Sequence, residues 1–261
     1  MFAKDPNNKA RLTVAPQQAL VGIPQSPTFP LPGEAEFPSP PAMPNALLRL
    51  ELSLPEYIAD LQEITNIMRS DIGLTTQLLR LAAREIEQSP DRVVGISEIV
   101  VHVGVEKLRA LVAGTKTLPD HCRSHAKSTV RERFWMHSRL RAGVAEELAG
   151  QSSEVRPEEA HLAGLLFHLG DLPSLLGWTT SGSDAADHHL VGYRMAKAWR
   201  FPRTLADVIG GDREVCLNRK SRALLDVATV ADIWASRLEF LAARESPALR
   251  AKNPPYGLGC G

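Results

Sequence analysis

Apolar residues recur at helical spacing along most of the chain. The segment from Tyr57 to Arg69 carries Ile58, Leu61, Ile64, Ile67 and Met68 on one face. This three- and four-residue spacing is typical of an amphipathic helix. The same spacing predicts a helix after Asp71, a long helix from Thr129 to Gly150, and a last long helix from Asn218 to about Arg244. The pattern therefore predicts an all-α fold.

Polar and turn-forming residues mark where these helices begin and end. Asn45, Asp71 and either Asp184 or Asp187 precede apolar helical patterns and are predicted N-caps. Ser97 and Gly104 bracket a short helix from Glu98 to Val103. The β-branched residues of that run are also compatible with a strand, but a capping serine and a terminating glycine favour the helix.

The segment from Glu158 to Asp171 reads EEAHLAGLLFHLGD and is the most apolar helical pattern in the chain. Pro157 precedes it, and proline is well suited to the first turn of a helix because its missing N–H is not needed there. Asp171 follows a glycine and is predicted to cap the next turn. The segment is therefore predicted to be a central core helix that ends beside His168.

Composition divides the chain into three parts. Prolines recur from Pro16 to Pro41, which predicts an extended, proline-rich arm over residues 1–43. A helical domain is predicted over residues 44–245. A polar, proline-containing stretch between Lys116 and Ser128 divides it into packed subdomains, about 44–118 and 128–245. Residues 246–261 are predicted to form a flexible tail.

Charge and cysteine content exclude several classes of protein. The 30 basic residues balance the 30 acidic ones, which disfavours nucleic acid as a partner because no net positive charge would attract phosphates. No apolar run reaches the length of a membrane span, and the N-terminal residues lack a secretory signal. Three widely spaced cysteines without a CxxC pair fit a reducing compartment. We therefore predict a cytoplasmic protein without membrane contact.

Four motifs, in order, resemble those of the HDOD family, which comprises non-catalytic relatives of the HD superfamily of metal-dependent phosphohydrolases. They are ISEIVVHVGVEKLRAL (residues 96–111), FWMHS (residues 134–138), AGLLFHLG (residues 163–170) and DHHLVGYRMAKAWRFP (residues 187–202). The resemblance covers about Met43 to Arg237 and implies a multi-helix HD-like bundle. One departure is the sequence Leu81-Ala82-Ala83-Arg84, where the family commonly has Leu-x-x-Asn-Ser.

The resemblance also implies where a metal would be held. His137 matches the first histidine of the catalytic superfamily, Asp232 matches the last aspartate, and His188 matches an additional histidine ligand. The His-Asp doublet falls on Phe167 and His168. A phenyl ring has no lone pair, and an imidazole cannot bridge two cations as a carboxylate does.

The residual set of His137, His168, His188 and Asp232 could hold a single zinc or nickel ion if these side chains converged. We favour the alternative that the histidines pack against neighbouring helices, with no cofactor and no catalytic residue.

The preferred interpretation is therefore a regulatory module of signal transduction. It would contact signalling proteins, as in two-component or cyclic-dinucleotide pathways, and would lack hydrolase activity. One alternative is a metal-dependent phosphohydrolase with an altered site. The other is a nucleotide-sensing domain that uses the basic stretch between Arg123 and Arg141, although such a stretch is more often a solvated helix face. The sequence leaves the oligomeric state open.

Overall fold

The computed structural model describes residues 37–54, 60–86, 95–121, 128–178, 187–212, 216 and 218–245. Its helices are α1 (Pro44–Ser53), α2 (Leu61–Arg69), α3 (Ile72–Ile86), α4 (Ile96–Gly114), α5 (Leu118–His121), α6 (Ser128–Gly150), α7 (Pro157–Leu166), α8 (Leu172–Leu176), α9 (His188–Ala198), α10 (Arg203–Ile209) and α11 (Arg219–Glu245), with a 3₁₀ turn at Leu169–Asp171 between α7 and α8. Over these ranges the only extended pairing is a single bridge between Ala42 and Thr117. The prediction of an all-α fold is confirmed over the described ranges.

Several sequence predictions fall outside the described residues. These are most of the proline-rich arm, the C-terminal tail, and the break at residues 89–91. All described residues belong to one compact unit, Leu31–Gly261. The division of the helical domain near residues 118–128 stays a prediction. Over the described ranges, no helix combines the length and apolarity needed to cross a membrane.

The predicted caps at Asp71 and Asp187 are confirmed, whereas Asp171 is the N-cap residue of α8 without a capping hydrogen bond from its side chain. The side chain of Asp71 accepts a hydrogen bond from Leu74 N of α3, and that of Asp187 accepts one from His189 N of α9. The cap at Asn45 is wrong, because α1 already begins at Pro44. Proline at the first helical position tolerates this start, since that N–H would have had no intrahelical partner.

The segment 96–114 is helical on both sides of a kink at Gly104, so the strand alternative for its β-branched run is wrong. Its N-cap is Gly95 and not Ser97, whose hydroxyl instead contacts the carboxylate of Glu158 on α7 at 3.3 Å. Gly104 bends the helix with φ 77° and ψ 160°. This left-handed φ is open to glycine at little cost, which explains why the predicted break falls at this residue.

The predicted helix from Glu158 to Asp171 is shorter than expected. The α-helical part ends at Leu166, and the chain then turns through Phe167 and His168 into the 3₁₀ turn and α8. Residues 159–167 are all buried, so the prediction of a core helix is confirmed. Helices α8 and α10 lacked a recognised sequence signal because each is too short to show a helical period.

Two apolar clusters fill the interior. The larger one joins residues of α1 to α4 with residues of α7 to α10, around Trp199 and Leu50. The smaller one lies where α6 and α7 meet α11, and includes Phe167, Ala228 and Ala231. Small alanines on this second interface let the three helices approach closely. This packing brings the polar edges of α6, α7 and α11 together at one place on the molecule.

Candidate functional site

Four elements meet at a polar cluster that contains every candidate metal ligand. His137 lies on α6, His168 follows α7, His188 begins α9 and Asp232 lies on α11. Asp232 Oδ1 is 3.3 Å from His168 Nε2 and 3.6 Å from His137 Nε2. The ring of His188 stacks on that of His168, with centroids 5.0 Å apart. The fold thus brings all four residues together, with Asp232 at the centre.

A buried arginine, Arg141, occupies the inner side of this cluster. Its side chain is 1% exposed, and its Nη1 donates a hydrogen bond to Asp232 Oδ1 at 2.8 Å. Its Nε donates to the carbonyl oxygen of Gly164 on α7 at 2.6 Å. The guanidinium also lies over the ring of Phe167, 5.8 Å from its centroid. Arg141 therefore ties α6, α7 and α11 together beside the four candidate ligands.

The sequence interpretation of Arg141 as part of a solvated basic face is wrong. Arg131 is also buried, and Arg133 is paired with Glu239 of α11. Of the remaining basic side chains of that stretch, Arg139 is exposed, whereas Arg123 and Lys127 lie outside the described residues. The sequence did contain a signal that Arg141 lies at the candidate site. Arg141 follows His137 by four residues, so the two side chains share one face of α6.

The electrostatics of the cluster are dominated by Asp232. Burial by itself raises the pKa of this carboxyl, but hydrogen bonds from His137, His168 and Arg141 outweigh burial and hold the pKa well below its usual range. For His137 and His168, burial lowers the pKa, yet their carboxylate partners more than offset it and the net pKa of each is raised. The cluster thus favours the charged forms of His137 and His168 around an ionised Asp232.

A second carboxylate, Glu239, extends the cluster outward and was not found from the sequence. Its Oε2 lies 3.0 Å from His137 Nδ1, and its other oxygen accepts from Arg133. The hydrogen bond with His137 lowers the pKa of Glu239, burial opposes this, and Arg133 lowers it further. Glu239 follows Asp232 by seven residues, which places both on the same face of α11. That spacing was the available signal.

Glycines set how closely the 3₁₀ turn approaches α9. A Cβ on Gly170 would overlap the backbone oxygen of His188, and one on Gly192 would lie 2.8 Å from Ile209 Cγ2. The absence of side chains at these positions lets the turn and the helix touch, which brings His168 against His188. His188 Nε2 is buried and has no hydrogen-bond partner among the described residues. Burial, together with the neighbouring His189, lowers the pKa of His188.

These residues, as placed, do not fit a divalent ion. The oxygen of Asp232 that faces both histidines already accepts a hydrogen bond from Arg141, so an ion there would lie beside a buried guanidinium. Phe167, at the first doublet position, is buried in the apolar cluster. Across the described residues, no group of three or more His, Cys, Asp or Glu side chains has an arrangement that could hold a metal. The four-residue metal site stays a prediction.

Comparison with known proteins agrees with this architecture. The chain resembles the crystal structure of the MmoQ response regulator from Methylococcus capsulatus, with a TM-score of 0.61, 20% identity, and coverage of 81% of this chain and 90% of that one. It also resembles a virulence factor from Campylobacter jejuni, with a TM-score of 0.53, 15% identity, and coverage of 85% and 94%. These identities establish a shared fold alone. A search of curated proteins finds no match.

The sequence model of the HDOD domain matches residues 40–178, more than half of the chain. The matched region contains His137, Arg141, Phe167 and His168, and it ends before His188 and Asp232. The fold and this match agree with one another. The chain belongs to the HDOD domain family.

Proposed function

We propose that this protein is a regulatory module that acts through protein–protein contacts and has no hydrolase activity. The observation that carries the proposal is the contact between Arg141 and Asp232. In a metal-dependent hydrolase, the cation polarises substrate and lowers the pKa of bound water. A guanidinium remains protonated and offers no open coordination position, so it cannot activate water in this way. The guanidinium of Arg141 instead links α6, α7 and α11 through hydrogen bonds.

The similarity of fold to a response regulator supports a role in signal transduction. The polar cluster then has a structural task, since it holds α6 and α11 in a fixed relation through charged hydrogen bonds. A surface built on such a rigid frame can bind partners without further ordering cost. The partners that this proposal implies are signalling proteins, including those of two-component or cyclic-dinucleotide pathways.

Metal binding and hydrolysis test the proposal against its main rival. The purified full chain is titrated with zinc, nickel and manganese by calorimetry, and phosphate release from nucleotides is followed in the same solutions. We expect no stoichiometric binding and no release. Asp232→Asn is the matched control, because it removes the central carboxylate. One ion per wild-type chain, lost in Asp232→Asn and accompanied by chelator-sensitive phosphate release, would replace the regulatory proposal with the hydrolase.

Affinity capture addresses the protein contacts themselves. The tagged full chain serves as bait in lysate from its own organism, and an unrelated helical domain on the same tag serves as the control bait. The proposal expects a signalling protein to be enriched near stoichiometric amounts on the first bait alone. Equal recoveries on both baits would contradict it.

A nucleotide-sensing role is a second candidate, and one cavity favours it. This cavity of about 440 Å³ is lined by Arg80, Lys107, Gln77, Ser39 and Trp199, among others. Its two cationic side chains, Arg80 and Lys107, are suitable contacts for a phosphate group, whereas Trp199 is only 1% exposed and forms the floor of the cavity beneath Arg80. It lies on α3, α4 and α9 and not at the basic stretch of α6, where the sequence placed this role.

A thermal-shift screen of cyclic dinucleotides and nucleoside polyphosphates tests the second candidate. A ligand specific for the folded state must raise the melting temperature. Stabilisation that is lost in Lys107→Ala and kept in Lys197→Ala would support it. No shift with any nucleotide would leave the candidate without support.

A further inference from the structure

Helix α11 has apolar side chains on both of its faces. Its inner face carries Leu224, Ala228, Ala231 and Ala235, all buried against the body of the molecule. Its outer face carries a second apolar set, comprising Val230, Ile233, Trp234, Leu238, Phe240 and Leu241, each between 41% and 62% exposed. A surface helix normally keeps this side polar. The second set therefore requires an occupant of its own.

The outer residues have the spacing of a coiled-coil seam. Val230, Trp234, Arg237 and Leu241 follow one another at intervals of four, three and four residues, which is the spacing of alternating d and a positions in a heptad. Ile233 and Phe240, seven residues apart, flank the seam on one side. We call these six residues together with Leu238 the outer seam of α11. Its period matches a second helix lying along α11.

The outer seam is complementary to itself in the antiparallel direction. When two copies of a helix pair antiparallel about a two-fold axis, each a position faces a d position of the other copy. With the axis between Ala235 and Ser236, Val230 faces Leu241 of the partner subunit. Trp234 faces Arg237 of the partner subunit, and the guanidinium can then lie on the indole ring. Arg237, the one charged residue of the seam, thus faces a tryptophan, with which it can form a cation–π contact.

The exposed area is also of the right size. From their exposed fractions, the six apolar side chains present roughly 600 Å² per chain, close to the roughly 800 Å² per partner of a standard interface. A single monomer seldom exposes more apolar surface than this in one patch.

We propose that the outer seam of α11 pairs with the same seam of a second copy of this chain, forming an antiparallel, two-fold symmetric dimer. Trp234 is its central anchor, facing Arg237 of the partner subunit. This dimer is independent of the regulatory role proposed above, because neither the polar cluster nor a signalling partner enters the argument.

Sedimentation of the full chain over a concentration series tests the dimer. We expect the wild type to dimerise and Trp234→Arg to raise the dimer dissociation constant about 30-fold or more, since it sets two arginines face to face and removes a central aromatic anchor. Leu52→Arg is the matched control. Leu52 is 68% exposed on α1, so the control adds the same charge at an apolar surface position away from the seam, and it should dimerise like the wild type.

The double variant Trp234→Arg/Arg237→Trp tests the register. It restores an arginine opposite a tryptophan only if the two helices are antiparallel about the stated axis, and its dissociation constant should return to within a few-fold of the wild type. Circular dichroism verifies that each variant keeps its helical content. The proposal is overturned if the wild type stays monomeric, whatever covers the seam instead, if Trp234→Arg dimerises normally, or if the double variant is as weak as the single one.

Discussion

Replacing Arg141 by methionine removes the link between α6, α7 and α11 while keeping most of the side-chain volume. The change leaves Asp232 without its guanidinium and the Gly164 carbonyl oxygen without its donor. Removing one partner of a buried ion pair costs about 3–5 kcal/mol. Asp232 remains 26% exposed and keeps its two histidines, which places the cost at the low end. We therefore expect Arg141→Met to lower the free energy of unfolding by about 3 kcal/mol.

Urea denaturation followed by circular dichroism measures this loss. The matched control is Arg139→Met on the same helix, because Arg139 is exposed and its loss should change stability by no more than about 0.5 kcal/mol. Asp232→Asn and the double variant complete a thermodynamic cycle, in which the double variant should lose about 1–2 kcal/mol less than the sum of the single losses. An Arg141→Met protein as stable as Arg139→Met would refute the role given to this ion pair.

Two further predictions concern Asp71, at the start of α3, and Gly170, in the 3₁₀ turn beside α9. Burial raises the pKa of Asp71 to about 6 despite hydrogen bonds from Met43 and Leu74, so the folded state prefers the protonated acid. As pH rises from below 4 to above 6, the free energy of unfolding of the wild type should fall by about 3 kcal/mol relative to that of Asp71→Asn. Urea titrations of both proteins across this pH range measure the change. A difference between the two proteins that stays constant with pH would contradict the prediction. Gly170→Ala should destabilise by about 1–3 kcal/mol because its Cβ meets the backbone of α9. Gly143→Ala, which meets no atom within 4 Å on α6, should stabilise by about 0.5–1 kcal/mol. Melting curves of both variants decide this, and equal shifts in one direction would show that the close approach is unimportant.

Local signals along the chain predicted much of the fold correctly. Helical periodicity and side-chain caps act over a few residues, so the long helices and the caps at Asp71 and Asp187 could be identified without tertiary information. The cap at Asn45 was wrong because proline is tolerated at the first helical position, so α1 begins one residue earlier, at Pro44. Short helices such as α10 are stabilised by burial in the core and are too short to show a helical period. They were missed for that reason.

The candidate site depended more on tertiary structure. Sequence resemblance named His137, His168, His188 and Asp232, and the fold brings them together. The resemblance did not indicate that Arg141 lies among these four residues. An arginine on α6 is buried only because three helices pack around it, and its own helix does not show this. The same applies to Glu239, whose partners are about a hundred residues away in the chain.

The sequence by itself determined the helical class and the family, because periodicity and residue identity are local properties. Only the tertiary structure decided that a guanidinium lies beside Asp232 and that α11 keeps an apolar face outward. Both depend on which surfaces meet when the helices pack, and a one-dimensional pattern specifies which faces are apolar without specifying which of them are covered.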